Sequence, residues 1–115
     1  MPEGVSIVDN DENKRSWLRI NWWNDPARSS YRQISVIPHE NLPDEPMDTS
    51  TLHSLKYYTA RENPVFFGHY WLQGTPELIR ENICCLDYSV ARGGVLAAYR
   101  FDGEKKLSNE KFTFV

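Results

Sequence analysis

The second half of the chain imposes the strongest constraint on its fold. Three short apolar runs stand there, each closed by a turn-forming residue, and no amphipathic helix accompanies them. Val65-Phe66-Phe67 ends at Gly68, Ile83-Cys84-Cys85-Leu86 ends at Asp87, and residues 95–101 end at Asp102-Gly103. Continuous apolar runs of this length suit strands covered on both faces. The Asp-Gly pair predicts a hairpin into a last strand near residues 111–114. Such strands need a covering layer, and the chain offers almost no helix to make one. Either the sheet packs on another sheet, or the covering layer lies outside this sequence. The expected class is α+β, mostly β.

The first half reads differently. Val5-Ser6-Ile7-Val8 and Ser16-Trp17-Leu18-Arg19-Ile20 are strand-like, and the polar residues 9–14 between them are turn-prone, which predicts a hairpin within residues 4–23. Residues 24–63 hold four of the seven prolines, Pro26, Pro38, Pro43 and Pro46. Only residues 31–37 look extended there. A short helix is expected over residues 49–58, capped by Asp48 or Thr49, with Leu52, Leu55 and Tyr58 on one face. The rest reads as a long irregular loop or insert, with the acidic stretch 40–48 in solvent. A loop beyond about 15 residues is commonly a lid or a disordered link. At 115 residues, the whole suits a single domain.

Charge and cysteine usage exclude some classes. The net charge is −3 and no Lys/Arg run forms a phosphate-backbone footprint, so nucleic acid is not an expected partner. The two cysteines, Cys84 and Cys85, are neighbours in an apolar run. Disulfide geometry disfavours a bridge between them, and they read as small buried hydrophobes in a reducing compartment. No basic start followed by a long apolar stretch is present, so neither a signal peptide nor a membrane span is expected, and the anticipated location is cytoplasmic.

The sharpest local signal for chemistry is Phe66-Phe67-Gly68-His69-Tyr70-Trp71. An apolar strand runs into Gly-His, glycine permits a sharp turn, and a neutral imidazole at a strand end can bind a metal. The plain alternative is a structural histidine beside an aromatic cluster. His39 and His53 lie in the proline-rich middle and read as solvated. The Trp22-Trp23 pair could stack on a ring or pack on the core. Packing is favoured, because adjacent strand residues face opposite ways. No Gly-Xaa-Ser-Xaa-Gly or phosphate-loop motif is present.

Pro64-Val65-Phe66-Phe67-Gly68-His69, then Ile83-Cys84-Cys85-Leu86-Asp87-Tyr88-Ser89, then Gly93-Gly94-Val95-Leu96-Ala97-Ala98-Tyr99-Arg100 resembles the C-terminal part of calcineurin-like metallophosphoesterases. The resemblance spans residues 64–104, with a fainter likeness over 4–31. It is nearest the branch of serine/threonine protein phosphatases and dinucleoside tetraphosphatases. It implies part of an αββα sandwich with two divalent ions, manganese, iron or zinc, at the strand ends, and metal-assisted hydrolysis of a phosphate ester. His69 matches a metal ligand, Asp87 a structural carboxylate beside the site, and Gly68, Gly93 and Gly94 the tight turns. Trp71 stands where many members carry a second histidine, which the protein-phosphatase branch also lacks. The motifs Asp-Xaa-His, Gly-Asp-Xaa-Xaa-Asp-Arg and Gly-Asn-His are missing from the sequence. A catalytic metal typically needs about three protein ligands. The chain alone is therefore expected to bind no metal and to be inactive, its partner being the missing N-terminal part of the domain. The alternative is a non-catalytic β-rich binding module.

Overall fold

Short polar residues placed just ahead of apolar ones organise the first part of the chain. In the computed structural model, which describes residues 7–8, 14–15, 19–37 and 39–115, Asp25, Ser30 and Asp48 each cap a helical turn. Asp25 Oδ1 accepts from Ala27 N at 3.0 Å and starts a 3-10 turn, Pro26–Arg28. Ser30 and Gln33 form a reciprocal capping box at the start of helix α1, Tyr31–Ile34. Residues 31–34 are thus helical, not extended as expected. The Ser30-Xaa-Xaa-Gln33 cap satisfies two backbone N–H groups and outweighs the strand preference of the isoleucines. Helix α2, Thr49–Ser54, has its expected cap, with Asp48 Oδ1 accepting from Thr51 N at 2.7 Å. It stops short of Tyr58, because Leu55 N donates back to Leu52 O at 3.2 Å and leaves the helical path.

The chain divides into two compact units, Met1–Tyr58 and Thr59–Val115. In the first, Tyr31, Ile34 and Met47 form the core, with Ile20, Leu52 and Leu55 packed against it. The acidic stretch 40–48 is not simply solvated: within it Leu42 is 0 % and Met47 6 % exposed. Ser30 Oγ donates to Asp44 at 2.7 Å, and Arg32 donates to the carbonyls of Leu42 and Glu40, each at 3.1 Å. Each large apolar side chain removed from water stabilises by about 1.5–3 kcal/mol. Strands β1, Ile7–Val8, and β2, Lys14–Arg15, pair antiparallel. The expected second strand began later. Its residues 16–18 lie outside the described residues, as do 5–6 of the first, while Ile20 makes an isolated bridge to Ser35. Trp22 and Trp23 sit in a turn with centroids 5.7 Å apart, edge to face, and Trp22 meets Tyr58 the same way. The two indoles do touch, contrary to the strand argument, because a turn does not alternate faces.

The second unit carries the sheets. Strands β3, Val65–Phe67, and β4, Ile83–Cys85, are parallel, with Phe67 opposite Cys85. Strand β5, Asp87–Tyr88, pairs with β6, Val95–Tyr99, which pairs with β7, Phe112–Phe114, all antiparallel. Ile83, Cys84 and Cys85 are each 0 % exposed, as a doubly covered strand requires. Strand β6 is covered on one face only: Ala97 is buried, whereas Leu96 is exposed and pairs with Val115 at the sheet surface. An antiparallel sheet allows that. Asp102-Gly103 lies in the β6–β7 connection as expected, but the connection is longer than a two-residue turn. It is held by Lys111, which donates to Asp102 at 2.9 Å and to Glu104.

The β3–β4 crossover, residues 68–82, contains no helix. Its backbone groups find other partners. The Tyr88 hydroxyl accepts from Glu77 N and donates to Glu77 O, both at 3.0 Å, and Asn109 Oδ1 accepts from Leu78 N at 2.7 Å. Among the described residues, no helix is long and apolar enough to cross a membrane. The class is broadly α+β, with few short helices and both parallel and antiparallel pairing.

Candidate functional site

Parallel pairing sends two chain segments out of the sheet side by side. Beyond Phe67 come Gly68 and His69; beyond Cys85, in register, come Leu86 and Asp87. Leu86 N donates to Phe67 O at 2.9 Å, which extends the ladder one step. In open α/β sheets, ligand sites lie beyond the carboxyl ends of the parallel strands; here the pair has two strands and a crossover without a helix. His69 and Asp87 therefore occupy one end of the pair, and His69 is exposed there.

Asp87 organises this end. Its Oδ2 accepts from Trp71 N at 3.2 Å and its Oδ1 from Ser89 N at 3.1 Å, while its carbonyl accepts from Leu72 N at 3.0 Å. Ser89 Oγ donates to Leu72 O at 2.9 Å. One carboxylate thus fastens the loop after β3 to the turn after β5. Phe67 and Tyr70, within the same loop, meet edge to face with centroids 5.3 Å apart.

That bracing sustains an unusual backbone. The only non-glycine residues with positive φ among those described are His69 (71°), Trp71 (55°) and Ser89 (61°), all at this end. Left-handed backbone at such residues costs about 1–3 kcal/mol each and persists where the surroundings over-determine it, commonly at ligand sites. The sharp turn was expected at Gly68, yet Gly68 has no left-handed φ, and a Cβ there would meet Asp87 Cβ at an ordinary 3.8 Å. The turn falls on His69 instead. Gly93 and Gly94 each meet a separate backbone requirement. Gly93 takes φ 84° to close the 3-10 turn Val90–Arg92. Gly94 has no room for a side chain: a Cβ there would lie 1.9 Å from Tyr88 O.

The neighbouring cysteines are not part of this chemistry. Both are buried and unbridged. Burial pushes the Cys84 thiol up to about 12 and raises that of Cys85. Neither is a nucleophile at neutral pH. His39 lies in a loop, half-buried, its Nδ1 accepting from Asn41 N at 3.1 Å, and His53 is exposed on the last turn of α2.

The donor set does not make a complete metal centre. Among the described residues, no three of His, Cys, Asp or Glu are grouped so as to hold an ion. His69 is the histidine at this end, and both oxygens of Asp87 already receive backbone N–H groups. The two-ion centre implied by the resemblance would need donors beyond this set.

Sequence reading did not single out Arg92, and considered Trp71 only as the occupant of a missing histidine's position. The Arg92 guanidinium carbon lies 3.9 Å from the centre of the Trp71 ring. Beside them opens a cleft of about 430 Å³, lined also by Tyr88, Ser89, Gly93 and Gly94. A cation next to a glycine pair was visible in the sequence. Its meeting with an indole in the preceding loop was not.

No protein-family model matches the chain, and no curated protein or solved structure is significantly similar to it.

Proposed function

We propose that this chain is the C-terminal part of a metal-dependent phosphoesterase, a partial αββα sandwich in which His69 is one donor to a two-ion centre whose other ligands lie outside the chain. The observation that carries the reading is the placement of an exposed His69 at the carboxyl end of a parallel strand pair, in a left-handed conformation braced by Asp87. A histidine sealed in the apolar interior could not serve. The sequence resemblance supplies the reaction class, hydrolysis of a phosphate ester. This chain supplies position: Asp87 fixes the loop that carries His69, and Gly94 permits the close approach of its backbone to Tyr88 O.

Two checks test the proposal. The reading frame upstream of Met1 should encode Asp-Xaa-His and Gly-Asn-His motifs, or a separately encoded protein carrying them should copurify with this chain. Either assembly should hydrolyse p-nitrophenyl phosphate with Mn²⁺ while the isolated chain does not. An upstream region with neither motif, together with a chain that purifies alone, rejects the reading. That outcome would favour a non-catalytic binding module, whose specific support is the exposed Trp71–Arg92 cleft.

A further inference from the structure

The geometry points to the Trp71–Arg92 cleft as a binding site for a small organic oxyanion, one that joins a phosphate or carboxylate head to an apolar or ring-shaped body. Arg92 is exposed, and no carboxylate of the described residues lies within ion-pair reach of it. The indole covers the guanidinium at 3.9 Å and limits its freedom, leaving N–H groups to bind elsewhere. A guanidinium fork matches two oxygens of a phosphate or carboxylate. Trp71 itself remains 41 % exposed, a large apolar surface beside a cation that has no ion pair among the described residues.

Size argues for more than a bare ion. The cleft holds about 430 Å³, within the range of roughly 300–1,000 Å³ found for small-molecule sites. Trp71, Tyr88 and Val95 give it apolar walls that a ring or short hydrocarbon body would cover.

The walls are also fixed in advance. Trp71 and Ser89 both hold left-handed backbone, and both donate their N–H to the one Asp87 carboxylate. Arg92 N and Gly94 N each donate to Ser89 O at 2.9 Å, which sets the turn that carries the guanidinium. A ligand entering this cleft has little backbone left to order, and preorganisation of that kind raises affinity.

The test uses the full chain, without metal, labelled with ¹⁵N. Phenyl phosphate and benzoate are titrated separately while the Trp71 indole N–H and Arg92 Nε–H resonances are followed, with inorganic phosphate as control. One of the organic anions should shift both resonances saturably, and the one that does so more tightly identifies the head group. Arg92→Gln should weaken binding about tenfold or more, the effect of losing hydrogen bonds to a charged group. The inference is overturned by the absence of a saturable shift, by equal binding to Arg92→Gln, or by inorganic phosphate binding as tightly as the organic anions. Because no metal is present, none of these results bears on the proposed metal centre.

Discussion

The two units keep their shape by different means. Residues 19–58 rely on side chains: Asp25, Ser30 and Asp48 close helical turns too short to stand alone, and Tyr31, Ile34, Leu42 and Met47 bury apolar surface beneath them. Thr59–Val115 relies on backbone ladders, and its loops are fastened by single polar groups, Asp87, Tyr88 and Asn109, to N–H groups far away in sequence. The contrast teaches where each can tolerate change. The first unit should respond in proportion to lost apolar contact. The second should be indifferent at many surface positions and intolerant where backbone meets backbone.

The largest expected effect tests that intolerance. Gly94→Ala forces a methyl group to within 1.9 Å of Tyr88 O. Relief requires moving β5 or the turn after it, and the loss should reach about 4 kcal/mol, at the exceptional end for one substitution. Urea unfolding followed by amide signals of residues 59–115 measures it. A near-neutral result would mean that the strands do not approach as described.

Next comes the core of the other unit. Ile34 is 2 % exposed between Tyr31 and Met47. Ile34→Ala should destabilise by about 3 kcal/mol, through lost transfer energy and a residual cavity. The same urea experiment, read from residues 19–58, reports it. A loss below about 1 kcal/mol would show that the site collapses or was never well packed.

Titration should separate the units further, with smaller effects. The backbone N–H of Thr51, then the hydroxyls of Thr51, Ser50 and Tyr31, hold the Asp48 carboxyl well below the usual carboxylate range. The folded unit therefore binds fewer protons than the unfolded chain at acid pH. Its stabilisation is present above the unfolded value, about pH 4, and is lost as pH falls below it. Cys84 acts in the opposite direction. Burial raises its thiol from 9.0 to about 12, so the folded unit keeps a proton the unfolded chain releases. That contribution is present below pH 9.0 and is lost as pH rises toward 12. Amide signals followed over both ranges should show both units weakening in acid, because Lys111 likewise holds the Asp102 and Glu104 carboxyls below their usual range, and residues 59–115 weakening first in alkali. Asp48→Ala and Cys84→Ala should remove the respective limbs.

The sequence made local features legible and left remote ones hidden. Helix α2 was readable because its cap, Asp48, is one residue away. Strands β3, β4 and β7 were readable from short apolar or aromatic runs bounded by polar residues. Helix α1 was also readable in principle. Ser30-Xaa-Xaa-Gln33 is a capping pattern, but the isoleucines at 34 and 37 drew the reading toward a strand. By contrast, Leu42 and Met47 lie among prolines and acids, and only their packing reveals them as core. At the site, His69, Asp87, Gly93 and Gly94 were picked out from residue type and resemblance. That Asp87 would bind Trp71 N and Ser89 N could not be read, because left-handed backbone at Trp71 and Ser89 has no sequence signature. The Arg92–Trp71 contact joins positions whose meeting depends on that same hidden geometry.

The central claim concerns His69, exposed beyond the carboxyl end of strand β3. The most direct measurement is the Mn²⁺-dependent turnover of p-nitrophenyl phosphate by the complete assembly containing this segment, compared with its His69→Ala variant at matched thermal midpoints. If His69 is the proposed metal ligand, its loss should lower turnover by about a hundredfold or more, since even outer-sphere partners of metal ligands typically contribute 10–100-fold. Unchanged turnover in a folded His69→Ala protein would contradict the account and leave His69 a surface loop residue.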